Sequence, residues 1–384
     1  MQRLLVWRRV CARGKRSARQ LVECPRRSEP GTSIIKSQLL SWPKKQPRLA
    51  RSSRGIGPKT HPEDVPAKAA EKLSIQPAVV LLAAIACAVL VPSPAWPCAC
   101  GCGVFEVGTP SLFPTGAGGQ VWLEYDFQDQ NQNWSGTSSA PASQNDDKEL
   151  RTNFFTLGAQ YMFNRNWGVM LEVPYVQRFF KGTQDNGQVE GFSWNSVGDI
   201  RVWGMYTGFS EDMSTGLLWG AKLPSGWFGF THVDRDTQIG TGSTDLTLAG
   251  YHIGTIPGLT FADRPLGWYG QVNFDIPLLT QDNYRPGWEF DGALSAFYDF
   301  GPLGFLEELA PFVVFKGTYR ASDSGAEADP DNTGYGRMLM GPAIETRVGS
   351  VRLYTAVTFP IYLNVNGNQI IAPVQVSAIL SYAF

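Results

Sequence analysis

Three cysteines at alternate positions, Cys98-Ala99-Cys100-Gly101-Cys102, are the residues whose type and spacing most directly suggest chemistry. Thiolates are soft ligands that suit Cu(I) or zinc, and Gly101 and Gly103 would let neighbouring sulfurs converge. Zinc sites with strong sequence signatures use paired C-x-x-C spacing, which this cluster lacks. No cysteine follows Cys102, so an exported chain cannot pair all three internally. A metal or redox site, a local disulfide with a spare thiol, a lipid anchor and an unstructured tail stay open as readings of Cys98, Cys100 and Cys102.

Catalytic sets are sparse. A hydrolase needs a nucleophile beside a positioned base, and beyond Trp96 the only histidines are His232 and His252. His232 falls in a predicted loop and His252 by parity on an outer face, so no Ser–His–acid set forms. The Gly240–Gly242 run has no Lys-Ser/Thr after it and opens no helix, so it is not a phosphate loop. We expect no enzyme and no cofactor. Charge at alternating positions is more informative: Glu172, Asp199, Arg201, Lys222, Asp245, Glu289, Asp291 and Arg337, with Arg352 as a further candidate, oppose apolar neighbours. Their signs are mixed. They line a lumen and select a solute, as charged rings do in pores, or they are salt-bridged packing that fills a narrow bore.

The elements that must position these charges are strands. In Val374–Phe384, Val374, Val376, Ala378, Leu380, Tyr382 and Phe384 share one face, and Gln375, Ser377 and Ser381 share the other, with Ile379 and Ala383 as apolar exceptions. This is the period of two of an amphipathic strand, and it ends on an aromatic residue, as the strand read by outer-membrane assembly machinery does. Eleven similar segments precede it: Gln120–Phe127, Leu150–Phe163, Trp167–Arg178, Val197–Thr207, Thr215–Pro224, Ser243–Ile253, Gly267–Pro277, Gly287–Phe300, Ala310–Arg320, Gly334–Arg347 and Val351–Ile361.

After odd segments come polar links, Gln128–Glu149, Phe179–Ser196, Ser225–Gly242, Leu278–Pro286, Ala321–Thr333 and Asn364–Ile370. After even ones come tight turns such as Asn164–Asn166 and Val348–Ser350, with Thr255–Leu266 and Gly301–Leu309 as longer exceptions. An even strand number, alternating link lengths and both ends on the short-turn side are the pattern of transmembrane barrels. Trp122, Trp167, Trp194, Trp203, Trp219, Trp227, Trp268 and Trp288 lie near segment ends, where amphipathic rings mark the two membrane–water levels. Oily-faced exported strands satisfy their backbone groups only in a closed barrel. The expected fold is therefore all-β, a transmembrane antiparallel up-and-down barrel of about 12 strands.

Four regions follow. Residues 1–67 are a basic leader, or sequence upstream of the true start; 1–62 alone hold 16 Lys and Arg against Glu23 and Glu29. Residues 68–95 read as a signal peptide: Lys68 and Lys72, the apolar run Pro77–Val91, then Ser93-Pro94-Ala95 for cleavage. Residues 96–117 are a cysteine-bearing periplasmic tail, and 118–384 the barrel. From Trp96 onward 15 Lys and Arg face 29 Asp and Glu, a net charge of −14, which argues against nucleic acid as a partner. Acidic positions in the links, Asp146, Asp147, Asp323, Asp329 and Asp331, read as solvated, or as bridging divalent cations to anionic lipopolysaccharide.

Three stretches, Val197-Gly198-Asp199-Ile200, Gly220-Ala221-Lys222-Leu223-Pro224-Ser225-Gly226 and Gln238-Ile239-Gly240-Thr241-Gly242-Ser243-Thr244-Asp245, resemble the outer-membrane barrel family named for the MetA pathway of phenol degradation. The resemblance covers about Gly118–Phe384. It implies uptake or export of small, hydrophobic or aromatic solutes and no catalysis; the cysteine cluster and the basic front depart from the family pattern and inherit no role. The expected location is the bacterial cell outer membrane. The expected partners are its lipid and lipopolysaccharide, the barrel assembly machinery through Phe384, and a small-molecule solute. A metal-handling barrel using the cysteines, and a structural or enzymatic barrel, are the alternatives.

Overall fold

The computed structural model describes residues 109–114, 116–184 and 186–384. The basic leader, the signal-like segment and Cys98, Cys100 and Cys102 lie outside these residues. Alternating polarity gives twelve long strands, β1 Gly118–Gln130, β2 Asp147–Met162, β3 Trp167–Thr183, β4 in two pieces (Val189–Val197 and Ile200–Tyr206), β5 Thr215–Leu223, β6 Ser243–Phe261, β7 Arg264–Thr280, β8 Glu289–Phe297, β9 Glu308–Arg320, β10 Tyr335–Val348, β11 Val351–Ile371 and β12 Gln375–Ala383. Each pairs antiparallel with the next, and β12 returns to β1 with Gln120 opposite Ala383 and Gln128 opposite Gln375. The sheet is thus a closed up-and-down barrel, and no helix among the described residues is long and apolar enough to cross a membrane.

The break in β4 has a consequence for side-chain direction. Tyr175 of β3 faces Val197, but Glu172 faces Arg201, so β4 carries one extra residue there. Such a bulge reverses parity: Trp194 above it and Arg201 below it are both buried. Among the described residues the upper piece of β4 pairs only with β3, because β5 ends at Leu223.

Outward positions are apolar and exposed, as Leu123, Leu157, Leu171, Leu294 and Leu380 illustrate. Rings gather at two levels. Near the end that carries Gly118 and Phe384, Trp167 contacts Tyr206 and Trp219, Tyr161 contacts Phe163, and His252 contacts Trp268. Toward the other end, Tyr125 contacts Phe155, and Trp288 stacks on Phe274 and contacts Tyr319 at a tilt. On β3, Trp167 and Tyr175 mark the two levels; eight residues of tilted strand separate them by about 20 Å, close to the apolar band of such barrels.

Two expectations are corrected. Trp122, Trp194 and Trp203 are not at a membrane–water level; they are inward and at most 5% exposed. Their strand parity points into the barrel, and Gly158 makes room for Trp122, since a Cβ there would lie 1.9 Å from the indole. Some polar links are strand: β3 runs to Thr183 and β4 resumes at Val189, absorbing most of Phe179–Ser196, while β11 runs through Asn364–Ile370. Polarity there marks hairpins that rise past the membrane into water, where both faces are solvated, and does not mark a loop.

Candidate functional site in the barrel lumen

Among the described residues, two segments that are not wall fold into the lumen. The first precedes β1 and includes the end of the stretch assigned from sequence to a periplasmic tail. Pro110–Leu112 forms one tight helical turn, whose Ser111 N–H donates to the Thr109 hydroxyl (3.2 Å). Thr109 is fully buried and donates to Glu345 Oε2 (2.5 Å), and Gln120 Nε2 donates to the Ser111 carbonyl (2.9 Å). Leu112 and Phe113 are 2% and 4% exposed, and the Phe113 ring stacks 4.0 Å from that of Tyr251. Inward Met170, Trp203, Met205, Leu218, Phe312 and Tyr354 complete an apolar layer around them. The lower lumen is therefore packed like a protein core, with Leu112 and Phe113 as its centre.

The second segment is Ser225–Gly242, at the other end. Asp199, held at the β4 bulge, gathers it in: Asp199 Oδ1 accepts from Gly226 N (2.9 Å), and Oδ2 accepts from Thr241 N (2.8 Å) and the Thr241 hydroxyl (2.6 Å). Ser225 Oγ accepts from Ile200 N (2.9 Å) and donates to the Gly198 carbonyl (2.8 Å). Gly226 and Gly240 meet so closely that a Cβ on Gly240 would lie 2.1 Å from the Gly226 oxygen. Arg178 donates to the Gln238 and Thr237 carbonyls, and Arg235 donates to the Thr241 carbonyl (2.9 Å) while its guanidinium lies 4.3 Å from the Phe228 ring centre and 4.5 Å from that of Tyr284. Trp194 stacks on Phe230 at 4.7 Å. The three sequence stretches that carry the family resemblance thus meet at Asp199, Gly226 and Thr241.

Between the two segments lies a charged layer. Arg201 forks onto Asp275 (3.0 and 2.5 Å), Lys222 meets Asp245 (2.5 Å), and Trp203 Nε1 donates to Glu172 (3.2 Å). Above it, Arg320 bonds Asp323 (2.7 Å), which also accepts from Gly287 N (2.8 Å) and the Tyr284 hydroxyl. A cavity of about 80 Å³ remains here, bordered by Asp199, Arg201, Lys222, Asp245 and Glu289 among the sequence candidates. Glu172 instead borders a smaller void against Leu112 and Phe113. Asp291 is buried on the inner face of β8, and Arg337 donates to the Thr318 hydroxyl (3.3 Å) on the inner face of β10; neither borders the cavity. Arg352 lies at the lower rim, bonded to Glu345 (2.9 Å).

Sequence reasoning missed Asp275, Arg320, Arg178, Arg235, Asp236 and Tyr284. Asp275 was within reach, since it alternates with Gln271 and Asn273 on β7. Arg235 and Asp236 carried no such signal, because loop residues have no parity. Asp323, expected as a solvated or cation-bridging acid, is 1% exposed and bonded inward. His252 bonds the Thr215 hydroxyl through Nδ1 (2.7 Å) and packs against Trp268 on the outer side. Among the described residues no cluster of His, Cys, Asp or Glu has the geometry to hold a metal ion.

No protein-family model and no curated protein matches this chain. Solved structures do. The COG4313 outer membrane channel from Pseudomonas putida F1 superposes with a TM-score of 0.53 at 12% identity, over 73% of this chain and all of that one. The β-domain of the Bordetella autotransporter BrkA gives 0.39 at 12% identity, over 70% of this chain and all of that one. The transport unit of the Escherichia coli autotransporter AIDA-I gives 0.39 at 9%, over 70% and 90%. The first likeness establishes the fold, and the apolar outer belt with its two aromatic levels establishes the solvent.

The protein is a bacterial outer-membrane β-barrel.

Its periplasmic end is accordingly the one with Gly118, Phe384 and the short turns. The segment Thr109–Pro114 enters the lumen from the periplasm, and Ser225–Gly242 enters from outside the cell.

Proposed function

We propose that this barrel is a channel for small solutes, apolar and aromatic ones included, and that Thr109–Pro114 and Ser225–Gly242 are its two movable closures. The observation that carries the reading is the lumen itself. A barrel serving only as a structural element gains nothing from two non-wall segments folded into its lumen on either side of a charged layer. Each closure is held by a countable set of contacts, so each can open without unpairing a strand. The apolar layer around Leu112 and Phe113 favours solutes with an apolar body, and the resemblance to the phenol-degradation barrels points to the same class. The likeness to a solved outer-membrane channel supports passage and is silent on the solute.

The test is planar-bilayer conductance of the purified protein with an aromatic solute such as phenol added on one side. Conductance steps that the solute interrupts support the reading. A verified folded barrel that passes neither ions nor solute, even after its closures are loosened, would contradict it.

A further inference from the structure

The lumenal cavity holds more carboxylates than cations free to pair with them. Arg201 is committed to Asp275 and Lys222 to Asp245. Arg320 is committed to Asp323, which stands outside the cavity lining. Arg235 borders the cavity but gives its N–H groups to the Gly240 and Thr241 carbonyls and its flat face to Phe228 and Tyr284. Of the remaining acids, Asp199 is satisfied by its three donors. Asp236 and Glu289 both border the cavity; Arg320 faces both, Arg337 and Lys222 also face Glu289, and Asp236 accepts from the Thr237 hydroxyl (3.4 Å), but neither acid is in direct ion-pair contact among the described residues. Asp245 Oδ1 is buried without a hydrogen-bond partner although its other oxygen holds Lys222. Buried charge without a partner is costly, so the space between these oxygens favours an occupant that is positive and donates hydrogen bonds.

The cavity lining also includes apolar side chains, Phe154, Val176, Ile239 and Pro174. About 80 Å³ holds roughly five to eight waters at ~10–15 Å³ each, the size of a single-ring amine. No set of three ligating side chains converges among the described residues, which sets an organic cation ahead of a metal ion.

We propose that this cavity binds a small organic ammonium ion, with its N–H groups on Glu289 and Asp245 Oδ1, Asp236 adding to the negative field, and its apolar body against Phe154, Val176 and Ile239. The inference rests on the reading of the barrel as a channel and names a solute class for it. Proton linkage gives it a signature. Asp236 lies on the inward loop and faces Asp323, Asp234 and Asp147, with Arg320 as the opposing cation. Burial and the neighbouring acids push its carboxyl up to about 7. An ammonium ion entering the cavity must therefore displace a proton near neutrality, and affinity rises with pH until Asp236 is fully ionised.

The experiment is calorimetric titration of the detergent-solubilised protein with three probes of one shape: benzylammonium, benzyl alcohol and benzoate. Benzylammonium binds at least about tenfold more tightly than benzyl alcohol, and benzoate most weakly, as one charge-assisted hydrogen bond requires. Glu289→Gln weakens benzylammonium by about tenfold and benzyl alcohol by much less. In the unaltered protein benzylammonium affinity climbs between pH 6 and pH 8, and Asp236→Asn flattens that climb. Equal affinity for the three probes, or a preference for benzoate, overturns the assignment and needs no variant to fold. Conductance reports separately on passage: a conducting barrel that treats the probes alike loses the ammonium site and keeps the channel.

Discussion

Asp199 is the point from which the extracellular closure can be undone. Replacing it with Ala removes an acceptor for three donors at 2.6–2.9 Å. Two are backbone N–H groups, of Gly226 and Thr241, in a region where Gly226, Gly240 and the bulge exclude other partners. A net ~1 kcal/mol for each bond gives about 3 kcal/mol, and the negative charge of the acceptor argues for no less. At ~1.4 kcal/mol per tenfold, local opening of Ser225–Gly242 becomes roughly 100-fold more frequent. The barrel wall should hold, because β4, β5 and β6 keep their ladders. Hydrogen exchange followed by mass spectrometry reads this directly: peptides covering 226–241 exchange about 100-fold faster in Asp199→Ala, while peptides from β9 to β12 are unchanged. Equal exchange in the loop would refute the idea that Asp199 holds it. Faster exchange throughout would show that Asp199 supports the wall instead.

Three further outcomes follow from the same geometry. Arg201→Ala should destabilise the barrel by about 3–5 kcal/mol in urea, because it strands the buried Asp275 carboxylate, and an apolar replacement of both partners should recover most of the loss; both side chains are under 7% exposed. Gly158→Val should cost at least ~1–3 kcal/mol by the same assay, since even a Cβ would overlap the Trp122 indole at 1.9 Å. For Asp236, the folded value near 7 lies above the ordinary carboxylate range, so the closed loop binds the proton more tightly than the open one. Closure is then strongest below about pH 4 and weakens as pH climbs to about 7. Exchange in 226–241, corrected for intrinsic rate, should be slower at pH 5 than at pH 8, and Asp236→Asn should remove the difference.

The wall of this barrel was readable because parity is a local property with a global meaning. Each strand has one face in lipid, so Leu217, Trp219, Ala221 and Leu223 declare the outside of β5 and thereby place Lys222 within. The same rule carried Asp199, Arg201, Asp245 and Glu289 to the cavity rim. Trp122 and Trp203 were misplaced because they were read by residue type instead of by parity, which points both inward. What parity cannot show is whatever enters the lumen without being wall. Leu112 and Phe113 are two apolar residues in a Pro- and Gly-rich stretch, with no period to mark them as a core. Arg235 and Asp236 look like ordinary polar loop, and only the folded chain brings them above Lys222 and Glu289. Link polarity misled for a related reason: β3 and β11 keep their ladders after they leave the membrane, where water solvates both faces and polarity carries no cost.

The central claim is that solutes pass through a lumen closed by movable segments, and the periplasmic closure tests it most directly. Leu112 and Phe113 fill the lower lumen and pair with no strand, so Leu112→Ala with Phe113→Ala removes the filling and leaves the wall intact. Single-channel conductance of this double variant in a planar bilayer should exceed that of the unaltered protein several-fold, in larger and longer steps. Unchanged conductance from a variant that still migrates as a heat-modifiable folded barrel would contradict the account.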